Sequence, residues 1–555
     1  MIANVFLYLV AAGFAAEISA RSRYDRFWSL MSFVAVSALL LIFFDAWMSG
    51  EQSRSLYRWI DGRYNPVDLV FSGGSLHNAV VFPFFVLTAV SLLNNTLSAQ
   101  ESSKMRLNGL MIFSLAGLIL LISAENSVQL LAGVLILDVL SLWSVRDVDA
   151  KTKYAFYSLL ADAFIFASFA LVWGQTGNFG LQELEHYGER GGSSGLVMAL
   201  LLFGTFIKSG LFLFHNYLYD LSGLSFNRLI FLSLCSTPAA GVILLWKIYP
   251  VLQGADWGIV LIRGFAVLSV VWGFWNSVAM DSIKEKAVSY NLMFYGFVFG
   301  LFSVGGMAVI RSYPSLLLAV YLLNAVLMLA VRSASNEIYV SNMGGFAGPL
   351  KITFALTLAV VYVLAQTVLR EMNGGNVCWT GGFAGAMLLS LSVVLRQIYL
   401  GAAHADERVW ALLKNAPLFC FLPLLLMAGG LMYAGGWYVS GLDWLFGGFL
   451  LLLFSGPFRF LERLYQNDAL QEADYFSEIY DWIFVAPVKI LGRILWLTID
   501  FLIIERTIIS SLSNSTGFLT YLSGKMHTGT KFSGIMFTLL GLGIIAAVFY
   551  AGGDK

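Results

Sequence analysis

Residues 204–250 read GTFIKSGLFLFHNYLYDLSGLSFNRLIFLSLCSTPAAGVILLWKIYP, and they set charged side chains within long apolar runs. Lys208 and His215 both lie inside a run that is long enough to cross a bilayer, since about 20 apolar residues span the hydrocarbon core as a helix. Ionisable residues are costly inside such a span and are therefore functional candidates. The stretch predicts membrane-spanning helices that carry a chemical site.

The whole chain has the composition of a membrane protein. Of its 555 residues, 59% are hydrophobic and 12% are charged, whereas a soluble protein carries about 25% charged residues. This composition excludes a soluble enzyme, a disordered protein and a protein that binds nucleic acid. The formal net charge is zero, and the three cysteines form no CxxC pair. Neither an iron–sulfur site nor a disulfide framework is therefore expected.

The apolar runs predict an all-α polytopic membrane protein with about 14 to 16 transmembrane helices. The number is given as a range because several runs are short or are interrupted by a polar residue. The runs occupy residues 4–20, 28–49, 78–98, 108–123, 127–145, 153–174, 196–220, 229–249, 257–280, 287–309, 313–331, 352–370, 378–400, 415–434, 440–456 and 533–550.

Basic residues predict the orientation of these helices. Lys and Arg concentrate in one set of alternate loops, and short loops rich in these residues stay on the cytoplasmic side. The N-terminus is therefore predicted outside, in a bacterial inner membrane. The first residues, MIANVFLYLV, lack a basic region and are interpreted as a retained first span.

Residues 457–532 differ from the rest, because charges interrupt the apolar residues and no clean span appears. Apolar residues recur there at helical spacing between residues 483 and 501. We predict a long amphipathic helix along a membrane face, kinked at Pro487, followed by a final span. Two short interfacial helices are the alternative.

Four ionisable residues inside the predicted spans are candidates for proton transfer. Asp138 lies in LLAGVLILDVLSLWSV (130–145), Lys208 and His215 lie in 204–220, and Arg396 lies near the end of LSLSVVLRQIYL. Asp138 is predicted to pair with Lys208 across two helices. Lys208 and His215 are seven residues apart, so they would share one helix face about 10.5 Å apart along its axis. Breaking and remaking such a pair can gate the movement of a proton.

Each candidate also has a purely structural interpretation. Asp138 and Lys208 can form a static ion pair, and His215 can be a packed, hydrogen-bonded core histidine. Arg396 can extend to the membrane surface from the end of its span. Asp162 is a further carboxylate in a span, and it is expected to face Lys151 or Lys153.

Several motifs resemble the antiporter-like subunits of respiratory complex I. Within 204–250 the family's central pattern is present in register, with Lys208, Ser209, His215 and Asp220 followed by Ala240, Gly241, Val242, Lys247 and Pro250. Three further segments resemble the family: AENSVQLLAG (124–133), DSIKEKAVSYNLMFYG (281–296) and MGGFAGPLKITF (343–354). Near the C-terminus, FSEIYDWIFVAPVKILGRILWLTID (476–500) and HTG (527–529) resemble the lateral helix of subunit L of NADH-quinone oxidoreductase. Mrp-type cation/proton antiporter subunits share the same core.

The resemblance implies a proton-translocating subunit with two inverted five-helix repeats. It also implies that the chain binds no NADH, flavin or quinone and works with other membrane subunits of its complex, which supply the redox energy. The expected divisions are 1–107 (N-terminal helices), 108–249 (first repeat), 250–286 (connecting helix), 287–434 (second repeat), 435–456 (one helix), 457–532 (lateral helix) and 533–555 (terminal anchor).

The chain departs from the family pattern at key positions. Leu135 stands where the family has an intramembrane glutamate, and Asp138 lies one turn further on. In the later repeat, Met328 and Asn324 stand where the family has a lysine and a histidine, and Arg332 is the nearest basic residue. The family's prolines in the central motif are also replaced, by Leu213, Ser225 and Asn227.

Two interpretations of these departures stay open. The charges have moved by one turn along the same helices and conduction is kept, with Arg332 as a further proton-transfer candidate. Alternatively, the second half-channel does not conduct and the subunit is mainly a scaffold. At the level of the complex, the alternatives are an Mrp-type antiporter subunit, a proton-driven partner in an inorganic-carbon uptake complex and a non-conducting structural paralogue.

Overall fold

The computed structural model of the chain describes two compact units, Met1–Glu472 and Ala473–Lys555. The described residues are 2–19, 25–48, 54–60, 67–71, 74–97, 104–181, 184, 194–252, 256–333, 338–347, 350–370, 377–400, 490, 493, 514, 516 and 517. The predicted spans from 415 to 456, the lateral helix at 457–532 and the last span lie outside the described residues, except for those five isolated positions, which are helical.

Helices dominate the described part of the first unit, and we number them in chain order. They are α1 (Ile2–Ser19), α2 (Asp25–Met48), α3 (Ser75–Leu97), α4 (Lys104–Ile122), α5 (Ser127–Ser144), α6 (Val148–Thr176), α7 (Ser194–Ser209), α8 (Asn216–Asp220), α9 (Phe226–Leu234), α10 (Thr237–Leu252), α11 (Asp256–Ala279), α12 (Ile283–Gly305), α13 (Tyr313–Ser333), α14 (Lys351–Arg370) and α15 (Val377–Leu395). Short 3-10 turns at Leu221–Gly223, Gly306–Arg311 and Val340–Asn342 and a π-helical turn at Arg396–Leu400 join or extend them.

The predicted fold class is confirmed. Within the described ranges, ten helical segments are long and apolar enough to cross a membrane, and three shorter apolar helices lie at Ala3–Ser19, Leu107–Ile122 and Gly195–Ser209. Each predicted run up to residue 400 corresponds to one of these helices or to a pair of them. The protein is therefore a multi-pass integral membrane protein, and its described part is α-helical apart from one β-hairpin.

A β-hairpin lies between the second and third predicted spans. Strand β1 (Arg54–Ile60) pairs antiparallel with β2 (Val67–Phe71), with Arg54 opposite Phe71 and Ile60 opposite Val67. Phe71 is buried and its ring lies 5.1 Å from that of Phe6 in α1. This contact joins the hairpin to the apolar face of the first helix.

The most deeply buried helices are α9, α10, α12 and α13, and nearly all of their residues are enclosed by other helices. Helices α5 and α6 are peripheral, because they expose large apolar side chains such as Trp143 and Phe166. Apolar exposure is what a lipid-facing surface requires. The inner faces of α5 and α6 lie against α7 and α10, and the charged cluster lies there.

Candidate functional site

The helix that carries Lys208 is interrupted directly after it. Helix α7 ends at Ser209, and the backbone then turns through Gly210 (φ 60°) and Leu213 (φ 75°) before α8 begins at Asn216. Glycine adopts positive φ at little cost, and a leucine does so rarely. The prediction that Lys208 and His215 share one helix face is therefore wrong, because the two residues lie on opposite sides of this break.

Lys208 lies at the centre of a buried charged cluster. Its side chain is fully buried and forms ion pairs with Asp138 of α5 and with Asp162 Oδ1 of α6, the latter at 2.7 Å. The ammonium also donates a hydrogen bond to the Ser158 carbonyl oxygen at 3.2 Å. The predicted contact between Asp138 and Lys208 is thus present, and three helices converge on one ammonium group.

Asp162 is the residue that sequence reasoning misplaced. It was expected to face Lys151 or Lys153, but those residues lie nine or more positions earlier on α6, which is at least about 13 Å along a helix. Lys153 instead forms an ion pair with Asp220 of α8 at 3.3 Å. Asp162 lies beside the buried face of α6, to which Ser158 belongs. This position was the sequence signal that could have shown which way the Asp162 side chain points.

Hydroxyl groups complete the surroundings of Asp138, and none of them was predicted. Thr237 Oγ1 donates to Asp138 Oδ1 at 3.0 Å, and the Tyr154 hydroxyl donates to Thr237. The hydroxyls of Ser141 and Ser236 are hydrogen-bonded to each other beside them. The carboxylate of Asp138 is therefore held by a charge on one side and by a hydroxyl network on the other, which fixes its orientation.

The arrangement combines two carboxylates with one ammonium group. Such a cluster is neutral when it holds one extra proton, and it carries a charge of −1 when that proton leaves. At these short distances each charge acts strongly on the other two, since little water screens them. Loss or gain of one proton at the cluster therefore changes which ion pair is stronger, which is the chemistry of a proton-controlled switch.

The position of Asp138 explains the departure at Leu135. Leu135 is 47% exposed on the outer face of α5, whereas Asp138 is 3% exposed and points towards Lys208. A shift of three residues rotates a side chain by about 60° around the helix and moves it about 4.5 Å along it. Asp138 is thus the α5 carboxylate that reaches the lysine in this chain.

His215 lies among aromatic rings. It is 2% exposed and precedes α8, and its ring lies 6.1 Å from Phe212, 5.7 Å from Tyr219 and 5.9 Å from Trp272. The groups that contact the Lys208 ammonium do not include it. Its role in proton transfer stays a prediction.

Arg332 and Arg396 lie on other elements. Arg332 is half-buried in the last turn of α13, and Arg396 is half-buried at the start of the π-helical turn. The structure does not bring either residue into the Lys208 cluster, and their roles also stay predictions.

A neutral hydrogen-bonded chain occupies the region where the resemblance expects a second lysine and a histidine. Asn324 Nδ2 donates to Asn291 Oδ1 at 2.7 Å, and Asn291 Nδ2 donates to Ser233 Oγ at 2.8 Å. All three residues are at most 1% exposed, and Met328 is 2% exposed. Amide and hydroxyl groups satisfy one another here without a formal charge.

Comparison with known families assigns the domain that holds the cluster. Residues 126–368 match the family described as "NADH:quinone oxidoreductase/Mrp antiporter, TM". The match covers 243 of the 555 residues, so this part of the chain is similar to the membrane domain of that family. The matched range contains Asp138, Asp162 and Lys208, together with helices α5 to α13.

Two relatives align with parts of this chain. One is a Na(+)/H(+) antiporter protein of Alkalihalophilus pseudofirmus, 27% identical over 31% of this chain and 22% of the relative. The other is the NADH-quinone oxidoreductase subunit N of Ectopseudomonas mendocina, 24% identical over 55% of this chain and 61% of the relative. The aligned parts therefore span less than two thirds of either relative.

Two solved structures share the fold. A chain of the membrane-bound sulfane sulfur reductase, an archaeal respiratory membrane complex, is 14% identical with a TM-score of 0.72, covering 98% of this chain and 99% of that one. A chain of the Mrp complex from Dietzia sp. is 15% identical with a TM-score of 0.62, covering 99% of this chain and 63% of that one. At this level of identity the likeness concerns the fold alone.

Proposed function

We propose that this chain is a proton-translocating membrane subunit in which Lys208 takes up and releases a proton under the control of Asp138 and Asp162. The observation that carries the proposal is the buried ammonium group held between two carboxylates inside an antiporter-like membrane domain. Such groups are rarely kept inside a span without a role in ion transport.

The two carboxylates give the lysine two alternative partners. When a proton arrives on one of them, its attraction for the ammonium falls and the other becomes the stronger partner. Lys208 Nζ then turns towards the remaining carboxylate, releases a proton to it and takes up another proton when it returns. This exchange couples a proton to a small movement of the end of α7, where the helix is already interrupted.

We place the chain in an assembly of the complex I type, as a subunit L-like component in a bacterial inner membrane with its N-terminus outside. The motifs near the C-terminus favour subunit L, and the relative named NADH-quinone oxidoreductase subunit N supports the broader assembly. Quinone reduction in neighbouring subunits would supply the energy. This chain would bind no redox cofactor and would contribute the proton step alone.

A second candidate is a component of an Mrp-type cation/proton antiporter. The similarity to the Na(+)/H(+) antiporter protein of Alkalihalophilus pseudofirmus favours it. The two candidates differ in their dependence on sodium. Proton movement that requires sodium on the opposite side of the membrane would support the antiporter, and sodium-independent movement would support the complex I-type subunit.

Replacement of Lys208 tests the proposal. In membrane vesicles that contain the full chain within its complex, we expect Lys208→Ala to lower proton flux by at least about 100-fold, since a group that donates or accepts a proton contributes on that scale. The flux is followed with a fluorescent indicator of the pH difference, and the amount of inserted chain is measured in the same vesicles.

Lys151→Ala is the matched control, because Lys151 is an exposed lysine near the start of α6. It should leave the flux at the level of the unmodified protein. Normal proton flux in Lys208→Ala would contradict the proposal and favour a non-conducting structural subunit.

A further inference from the structure

A second pair of basic side chains lies away from the Lys208 cluster. Lys247 is near the end of α10 and His77 is in the first turn of α3, and Lys247 Nζ lies 3.4 Å from His77 Nε2. Lys247 also donates to the Ala124 carbonyl oxygen at 3.0 Å and lies 4.7 Å from the centre of the Trp246 ring. The mechanism above uses neither side chain.

The chemistry of this contact limits how many protons the pair holds. A lysine ammonium has donors only, so His77 Nε2 must accept with its lone pair. If His77 were protonated on the same nitrogen, two donors would face each other across 3.4 Å. The two facing nitrogens therefore hold one proton between them when they are hydrogen-bonded.

The pair has access to the protein surface. His77 and Lys247 are half-buried, and Glu125, in the connection between α4 and α5, is exposed. The Glu125 carboxylate interacts electrostatically with Lys247. A carboxylate beside a basic pair stabilises the protonated form of the lysine and attracts protons from the solvent to the pair.

The pair lies at one end of the helices that carry the charged cluster. Lys247 contacts Ala124, which lies three residues before the first residue of helix α5, Ser127. At the opposite end of α5, the Ser144 carbonyl oxygen accepts a hydrogen bond from Arg228. Lys247 is ten residues from Thr237 on α10, which is about 15 Å, and Thr237 contacts Asp138. The basic pair is therefore about three helical turns from the cluster, towards the start of α5.

One buried polar side chain lies along this direction. Gln129 of α5 is 1% exposed, and its Nε2 donates to the Leu120 carbonyl at 3.2 Å and to Ser123 Oγ at 3.3 Å. It is nine residues, or about 13.5 Å, from Asp138 on the same helix. Water that enters between α5 and α10 during turnover would find these polar groups at the end that holds Lys247.

We propose that His77 and Lys247 form the terminal proton-transfer pair at the end of the helices where α5 begins. Lys247 passes a proton to His77 Nε2, His77 releases its Nδ1 proton to surface water, and the amine left on Lys247 takes the next proton that leaves the Lys208 cluster. Exchange with water then restores the His77 tautomer. The inference rests on the proposed function and adds the exit of the route.

The test uses substitutions that keep the contacts but remove proton exchange. Lys247→Arg keeps the positive charge, yet arginine does not release its proton near neutral pH. His77→Gln keeps an acceptor for Lys247 but cannot carry a proton. In the vesicles used for Lys208→Ala, we expect each substitution to lower proton flux per inserted chain by about 100-fold.

Two further variants decide between transfer and packing. Lys284→Arg is the control for the lysine-to-arginine exchange, since Lys284 contacts the Leu224 carbonyl at 2.7 Å and should tolerate it. His77→Ala should lose flux and regain it when imidazole is added, because imidazole replaces the missing ring. A His77→Ala chain that inserts normally and is not restored by imidazole overturns the proposal.

The outcome separates this inference from the proposed function. Flux within twofold of the unmodified protein in both Lys247→Arg and His77→Gln, with loss in Lys208→Ala, overturns the exit pair and leaves the function standing. Normal flux in Lys208→Ala overturns both.

Discussion

At the scale of single residues, the cluster around Lys208 depends on which positions of α5 and α6 point inward. Asp138 faces Lys208 while Leu135, three residues earlier, faces outward. Asp162 supplies the second carboxylate from α6. A buried ammonium is stable only when opposite charges and hydrogen-bond acceptors surround it, so the two aspartates have a structural role as well as the proposed functional one.

Neutral replacements of the aspartates separate these two roles. Asp138→Asn or Asp162→Asn alone leaves Lys208 one carboxylate, so we expect the fold to persist and proton flux to fall. The double variant leaves a buried ammonium without a counter-charge, which costs about 3–5 kcal/mol. Thermal unfolding of the purified complex in mild detergent should show a drop for the double variant that exceeds the sum of the two single drops.

Asp149→Asn is the control for this series, because Asp149 is exposed in the first turn of α6, the helix that carries Asp162. It should leave both unfolding temperature and flux near their original values. A double variant as stable as the unmodified protein would show that the aspartates do not hold the lysine.

The pair of Asp138 and Lys208 could be predicted from the sequence, because a charge inside an apolar run requires a partner in a neighbouring helix. The role of Asp162 could not, since a carboxylate near the middle of α6 has several lysines within plausible reach and only the helix rotation decides among them. The hydroxyls of Thr237 and Tyr154 could not be predicted either, because threonine and tyrosine are common in ordinary helices.

At the scale of elements, the helices were predicted well and their interruption was not. Apolar length reveals a span, but the break after Lys208 depends on Gly210 and Leu213, which have positive φ. The resemblance places a proline at position 213, and proline cannot adopt a φ of 75°. The local turn in this chain therefore differs from the one that the motif implies.

Close contact between α7 and α10 fixes the end of α7 beside the cluster. A Cβ added to Gly241 would overlap Ser209 Oγ and would lie 2.7 Å from Ser209 N. Gly241→Ala must push the two helices apart, and Lys208 is the neighbour of Ser209. We expect a loss of about 1–3 kcal/mol in stability from overpacking together with a lower proton flux, measured by thermal unfolding and by the vesicle assay.

Gly264→Ala is the matched control in α11, since a Cβ there meets nothing within 4 Å. It should leave the flux unchanged and should not lower stability, because alanine is a better helix former than glycine. If Gly241→Ala behaved like Gly264→Ala, the close packing of α7 on α10 would not be needed to position Lys208.

At the scale of the whole molecule, the described part is chemically asymmetric. Charges surround Lys208 between α5, α6 and α7, whereas α12 and α13 are joined by the neutral chain from Asn324 through Asn291 to Ser233. Amide side chains hydrogen-bond well but do not carry a net proton near neutral pH. The first of the two predicted repeats therefore has the groups that proton exchange needs, and the second, as far as residue 400, has structural ones at these positions.

This asymmetry predicts that a substitution in the neutral chain weakens the fold without stopping conduction. Asn324→Leu leaves Asn291 Oδ1 without its donor, which costs about 1–3 kcal/mol for an unsatisfied buried group, so the unfolding temperature should fall. Proton flux per inserted chain should stay within about twofold, because no proton carrier of the proposed route is removed. Met328→Leu, a volume-conserving change one turn away, should affect neither quantity. A loss of flux in Asn324→Leu as large as that in Lys208→Ala would instead mean that the route crosses both repeats, with the amide chain holding the water through which the proton passes.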